Sequence, residues 1–144
     1  MKIFSATANE GEILTALDHS RPFSAHWTLA GWQAQLAQPA GRVWCAKQEG
    51  KIVGFVALRG AYEQYELLNL AVAAGYTRLG VASALIDHAF SVLAGQGVQQ
   101  ISLEVSTANQ PAQGLYLKKG FRIIGVRKKF YEDGSDGLIM EKEL

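Results

Sequence analysis

Between Leu67 and Phe90 the chain changes its hydrophobic period in a way that restricts it to a small set of folds. Leu67, Leu68, Leu70, Ala71 and Val72 form a short apolar run broken only by Asn69, the pattern of a buried strand. From Ala82 onward the apolar residues recur as Ala82, Leu85, Ile86, Ala89, Phe90 and Leu93, one buried face of a helix. The link between them, Thr77-Arg78-Leu79-Gly80-Val81-Ala82, carries no acidic side chain. The first amides of a helix lack internal partners and sit at the positive end of its dipole. Gly80 permits unusual backbone angles and Ala82 offers one methyl, so an anion has room to approach those amides, with Arg78 adding a positive charge. A glycine that merely makes a turn gives the same local pattern, and on this segment alone both readings stand. A P-loop is excluded because no lysine lies near Gly80, and a dinucleotide fingerprint because its other glycines are absent.

The rest of the pattern surrounds this unit with strands. Residues 2–6 alternate as a short strand, and Asn9 with Glu12 resembles a capping box opening a helix over about 9–19. Thr28 caps a second helix through about Ala37, stopped near Pro39. Residues 42–47 and 51–59 are strands joined at Gln48-Glu49-Gly50, and a third antiparallel strand covers 64–72. A helix over about 79–94, a strand at 98–105, a helix at 110–119 and strands at 121–130 and 137–143 complete the order. The strand–helix–strand passage from 67 to 105 makes a parallel pair, so the expected class is mixed α/β with helices on both faces of the sheet.

Composition narrows the function. At 144 residues the chain reads as a single domain spanning 1–144, able to bury about two-thirds of its unfolded surface. A net charge of +1 supplies no overall field to gather nucleic acid or an anionic membrane, and Arg127-Lys128-Lys129 is the only dense basic run. Cys45 is the single cysteine, flanked by Val43, Trp44 and Ala46, and reads as a small core residue. His19, His26 and His88 are scattered, so no metal site is expected. The opening MKIFSATANEGEI lacks the apolar core of a secretory signal, and no run approaches the roughly 20 apolar residues of a membrane span. The expectation is a cytoplasmic protein with no direct nucleic-acid or membrane partner, as monomer or homodimer.

Further strings complete a pattern: Leu103-Glu104-Val105, Asn109, Gly114-Leu115-Tyr116 and Gly120-Phe121. With the Thr77–Ala82 link they resemble the GNAT superfamily of N-acetyltransferases, whose Gln/Arg-x-x-Gly-x-Gly/Ala motif binds the pyrophosphate of acetyl-coenzyme A. Thr77 stands where the family has Gln or Arg, and a contact made by backbone amides does not require that side chain. Asn69-Leu70-Ala71-Val72 and the stretch from Arg127 to Tyr131 before Ile139-Met140 are similar to the RimI-like ribosomal-protein alanine N-acetyltransferases. Ser106, Lys129-Phe130-Tyr131 and Glu132 depart from that group, the last two in the loop expected to touch the acceptor.

The resemblance implies a GNAT fold, with a central mixed, splayed sheet of about seven strands. It implies acetyl-coenzyme A as cosubstrate, no metal, and an amine acceptor: the N-terminal α-amine of a protein, or alternatively a small amine. A non-catalytic acyl-coenzyme-A sensor is the reading from another class. The pantetheine arm is expected in a gap between Leu70-Ala71-Val72 and Glu104-Val105. Arg78, Leu79, Gly80, Val81, Ala82 and Ser83 are expected at the phosphates, and Asn109 at the arm.

Transfer from a thioester to an amine needs a neutral amine, a donor for the carbonyl and a proton for the leaving thiolate. The Val72 amide is the expected carbonyl donor. Glu104 alternates with Ile101, Leu103 and Val105 onto the other strand face, which makes it the candidate base, acting through water. Glu66 on the preceding strand is its rival. Tyr116 is the candidate acid, although Leu115-Tyr116-Leu117 also reads as core. Lys118 and Lys119 suit the negative end of their helix. Phe23, His26, Trp27, Trp32 and Tyr131 are candidates to flank the acceptor.

Overall fold

The computed structural model, which describes residues 1–144, contains seven strands and four α-helices. The strands are β1 (Lys2–Ser5), β2 (Gly41–Gln48), β3 (Lys51–Ala61), β4 (Gln64–Val72), β5 (Gln100–Ser106), β6 (Arg122–Arg127) and β7 (Gly137–Glu143). The helices are α1 (Gly11–His19), α2 (Leu29–Ala37), α3 (Val81–Gly95) and α4 (Gln110–Lys118). One sheet runs in the order β1-β2-β3-β4-β5-β7-β6, and every neighbouring pair is antiparallel except β4 and β5. Gln48 faces Lys51 across the β2–β3 turn, leaving Glu49 and Gly50 as its tip at φ +52° and +77°. Positive φ at both central positions matches the right-handed twist of the strands it joins.

Each sheet face carries its own core. On one, α3 and α4 cover Val56, Leu58, Leu67, Ile101, Leu103 and Met140, with Leu85, Ile86 and Leu93 inserted from α3. On the other, α1 and α2 bring Leu14 and Trp32 over Val43, Cys45, Phe55 and Ala57. Trp32 stands edge-on to Phe55 at 4.9 Å between centroids, so this indole is a core residue rather than a wall of any groove. Trp27 packs in turn against Trp32.

A bulge in β4 creates the feature that matters for function. Leu58 of β3 faces Leu67, but Ala57 faces Asn69, so Leu68 is an extra residue in the ladder. A one-residue shift exchanges the faces of a strand. Leu67 accordingly packs in the α3 core, whereas Ala71 packs in the α1–α2 core and Asn69 reaches toward α1. Beyond this point β4 stays with β3 up to Val72, and β5 stays with β7 up to Ser106. The parallel ladder between β4 and β5 covers only Gln64, Glu66 and their partners Gln100 and Ser102, with Tyr65 and Ile101 between. The two central strands therefore part, each anchored to its outer neighbour.

Several boundaries differ from the sequence expectation for identifiable reasons. Thr7, not Asn9, caps the first helical turn: its Oγ accepts from the Asn9 amide, and Glu10, not Glu12, closes the capping box. Gly80 takes φ +82° and Arg78 φ +62°, so regular helix starts at Val81 rather than 79. β6 ends at Arg127, short of 130, because Lys129 turns the chain at φ +48°. No helix is long and apolar enough to cross a membrane.

Candidate active site

The parting of β4 and β5 opens a cavity of about 520 Å³. Leu67 to Leu70 line one side and Glu104 to Ser106 the other, while Asn109, Ala112 and Tyr116 of the α4 region form the floor. Residues 22–26 and Tyr131, Glu132 and Asp133 are the flanking walls. The cavity overlaps the expected gap at Leu70, Glu104 and Val105 but not at Ala71 or Val72, and both Glu104 and Tyr116 border it.

Glu104 is two-sided in its environment. Its Oε1 lies 3.2 Å from Arg127 of β6, and its side chain is 18% exposed. The second oxygen, Oε2, is buried without a hydrogen-bond partner. A Cβ at residue 137 would lie 2.4 Å from that oxygen, so Gly137 is what lets the carboxylate lie flat against β7. The Arg127 guanidinium is itself stacked on Phe130 at 4.5 Å. Sequence alternation identifies the strand face of Glu104 but not this clamp, because Arg127 sits across an intervening strand. Glu66 is exposed and sits where the β4–β5 ladder is still closed, outside the cavity lining.

Tyr116 is 5% exposed and packs edge-on against Phe121 at 5.6 Å. Burial, and secondarily the nearby Tyr131 hydroxyl, raises its phenol well above the ordinary value, so it is a proton holder at neutral pH. Tyr131, across the cavity, is raised mainly by burial and further by the Glu104 carboxylate, against the opposing pull of Arg127. Ser106 is 7% exposed, with its hydroxyl 2.6 Å from Ser135 Oγ and accepting from the Ala108 amide. This departure from the family pattern thus ties the end of β5 to the 131–136 loop. Asp133 and Asp136 close that loop by accepting from Ser135 and from the Lys129 amide, and these bonds hold both carboxyl groups below the usual carboxylate range.

A second cavity of about 250 Å³ adjoins the start of α3, lined by Val72, Arg78, Gly80, Val81, Ala82 and Ser83 together with Pro111 and Leu115 of α4. No side chain caps α3. Its leading amides are thus free to serve an external anion, and Gly80 adds no atom over them. The two cavities share α4 and the last residues of β4: Leu70 and Tyr116 face one, Val72 and Leu115 the other. Asn109 caps α4 through Ala112 and also borders the larger cavity.

Neither Ala71 nor Leu79 lines either cavity. The Ala71 side chain is in the α1–α2 core, and Leu79 is 62% exposed outside both cavities. Lys119 is ion-paired to Asp87 of α3 at 2.8 Å, which binds the two helices and occupies its charge. Burial, assisted by Glu10, pushes the Cys45 thiol up to about 12, which leaves it chemically inert. No three His, Cys, Asp or Glu side chains gather as a metal cluster. Two buried polar residues carry no signal in the sequence: Asp18, behind the 22–26 wall, and Asn69, which also borders the cavity.

Residues 12–121 match the acetyltransferase (GNAT) family. An uncharacterized N-acetyltransferase of Mycobacterium tuberculosis (strain ATCC 25618 / H37Rv) is 34% identical over 114 residues, covering 78% of this chain and 73% of the relative. The ribosomal protein bS18-alanine N-acetyltransferase of Escherichia coli (strain K12) is 34% identical over 96 residues, 65% of each chain. The crystal structure of the ribosomal-protein-S18-alanine N-acetyltransferase from Escherichia coli superimposes with a TM-score of 0.89 at 24% identity, covering 99% of this chain and 92% of that one.

Proposed function

The chain belongs to the acetyltransferase (GNAT) family, and from that premise we propose that it transfers the acetyl group of acetyl-coenzyme A directly to the N-terminal α-amine of a protein. The observation that carries this reading is the pairing of a carboxylate and a protonated phenol on one cavity that leads to the uncapped start of α3. The residues fit the cosubstrate: unclaimed amides at α3 suit its phosphates, and the open edge of β4 suits an amide-bearing arm. When bound, acetyl-coenzyme A supplies the activated acyl group.

The chain's own groups then divide the proton work. An α-amine has pKa near 8 and arrives largely as ammonium. Glu104, which borders the cavity, accepts the ammonium proton through water. Tyr116 keeps its proton at neutral pH and offers it to the departing sulfur. Full transfer to a thiolate of ordinary pKa near 8.5 is uphill by at least about 2 kcal/mol, so hydrogen-bond stabilisation is the larger part of its role. The backbone amide of Val72 is assigned to the thioester carbonyl.

The relatives named for ribosomal protein bS18 favour a peptide α-amine as acceptor. A small cationic amine is the second reading, favoured by the carboxylates of Glu132 and Asp133 at the rim. Mass spectrometry on two acceptor panels, N-terminally varied peptides and small amines, separates them, with Tyr116→Phe as control. Peptide α-acetylation lost in the control is the expected result. Modification of small amines alone would transfer the enzyme to small-molecule chemistry. Coenzyme binding with no modified acceptor would favour an acyl-coenzyme-A sensor.

A further inference from the structure

Asp18 is the most deeply buried acidic side chain of the molecule, with 0% exposure, and it takes part in none of the ion pairs. A buried carboxylate is tolerable only where donors surround it. Here four N–H groups do so. The His26 amide donates to Oδ1 at 2.8 Å, and Oδ2 accepts from the Trp27 amide at 2.8 Å, Trp32 Nε1 at 3.1 Å and Asn69 Nδ2 at 3.0 Å. Asn69, 3% exposed, completes the link by accepting from the Ala25 amide at 3.0 Å. Ser24 Oγ donates to the Asp18 carbonyl at 2.6 Å.

These partners have a common location. Three successive amides, from Ala25 to Trp27, are fixed by two side chains, and residues 22–26 are one wall of the cavity. His26 takes φ +58°, the left-handed turn that aims neighbouring amides at the carboxylate. Asn69 is the first residue after the β4 bulge, and the exchange of faces there is what points it at Asp18. Asn69 and its neighbours Leu68 and Leu70 border the cavity. We propose that Asp18 and Asn69 are positioning residues that set the acceptor wall at a fixed distance from the splayed edge of β4, and so determine acceptor affinity. An apolar pair of similar volume would fill the same core without fixing those amides, and such replacements of buried charges are often neutral for stability. The inference rests on the reading of the cavity as the acceptor groove.

The test uses the full-length enzyme and compares Asp18→Asn, Asn69→Ala and a control, Gln35→Ala. Asp18→Asn turns one accepting oxygen into a donor and leaves a single oxygen for the other amides. Asn69→Ala removes both the Ala25 contact and one donor to the Asp18 carboxylate. Gln35 is buried in the same half of the molecule and donates to the Leu58 carbonyl, away from the wall. The expected result has two parts: faster hydrogen exchange at residues 25–27, and an acceptor KM raised about tenfold while the Kd for acetyl-coenzyme A stays within about twofold. The control is expected to lower Tm without moving acceptor KM.

Unchanged exchange at 25–27 in Asn69→Ala would overturn the proposal, whatever the groove binds. A rise in acceptor KM matched by Gln35→Ala would overturn it too, as general loosening. If exchange accelerates but neither Asn69→Ala nor Phe23→Ala on the wall itself alters acceptor KM in active enzyme, the groove assignment fails and takes the affinity claim with it.

Discussion

The region around the start of α3 and the end of β4 is made of backbone, whereas the region between residues 22–26 and 131–133 is made of side chains and loops. In the first, the active groups are amides left free by helix geometry and by a bulge, so almost any side chain is tolerated if it stays small. In the second, each wall is fixed by particular polar partners: Asp18 and Asn69 behind one, Ser106, Ser135 and Asp136 within the other. A site of the first kind keeps its ligand while sequence drifts, and a site of the second kind changes its ligand with a few substitutions. Thr77, which departs from the family motif, lies in the backbone region, and Lys129, Phe130 and Glu132, which also depart, lie in the loop region.

The largest effect is expected where the two regions meet. Tyr116→Phe keeps the ring that packs on Phe121 and removes only the hydroxyl. Turnover is expected to fall about 10²-fold with Kd for acetyl-coenzyme A unchanged. Steady-state kinetics beside a binding titration reads both, and turnover within about threefold of wild type would remove Tyr116 from the reaction. Next in size, Glu104→Gln is expected to reduce turnover by about tenfold or more near pH 7, with the deficit shrinking as pH rises past the acceptor amine's pKa of about 8. A deficit constant with pH would make Glu104 a wall residue, held by Arg127, rather than a base.

The backbone region has its own test. At φ +82° a side chain at residue 80 is strained although no atom lies within 4 Å of its Cβ position. Gly80→Val forces a β-branched residue into the left-handed region at a cost of about 1–3 kcal/mol. The expected outcome, by isothermal titration, is acetyl-coenzyme A binding weakened about tenfold with acceptor KM unmoved. An equal loss for both substrates would erase the distinction between the two regions.

The sequence disclosed these regions unequally, for physical reasons. The strand-to-helix switch around Gly80 and the alternation that isolates Glu104 are local patterns, and the structure carries both. The bulge at Leu68 has no local signature, because it is a mismatch of β4 against β3 and exists only as a pairing. Asp18 reads along α1 as an ordinary polar residue of an amphipathic helix, and its burial comes from Trp27, Trp32 and Asn69, distant in sequence. Arg127 looks like the start of a solvated basic run, yet it is the partner of Glu104. Tyr116 needed the family pattern, since apolar neighbours make a core tyrosine look the same.

The smallest expected effect concerns stability at alkaline pH and separates the two tyrosines that face each other across the cavity. Burial raises the Tyr116 phenol above 10.0, the ordinary tyrosine value. Below about pH 10 the folded and unfolded states both keep this proton, and its burial contributes no pH dependence. Above that, the unfolded chain releases the proton while the folded one retains it. The unfolded state then binds fewer protons, so stability falls as pH rises, with a slope approaching about 1.4 kcal/mol per pH unit for one group. Tyr131 is raised as well but is less buried, and its contribution has the same sign. Urea midpoints measured from about pH 8 to 11 are therefore expected to drop less steeply in Tyr116→Phe than in wild type. Equal slopes would mean that the Tyr116 hydroxyl reaches solvent through the cavity in the free enzyme. The phenol would then be a wall of the open acceptor region, not the dry proton holder at the junction with the backbone-built half.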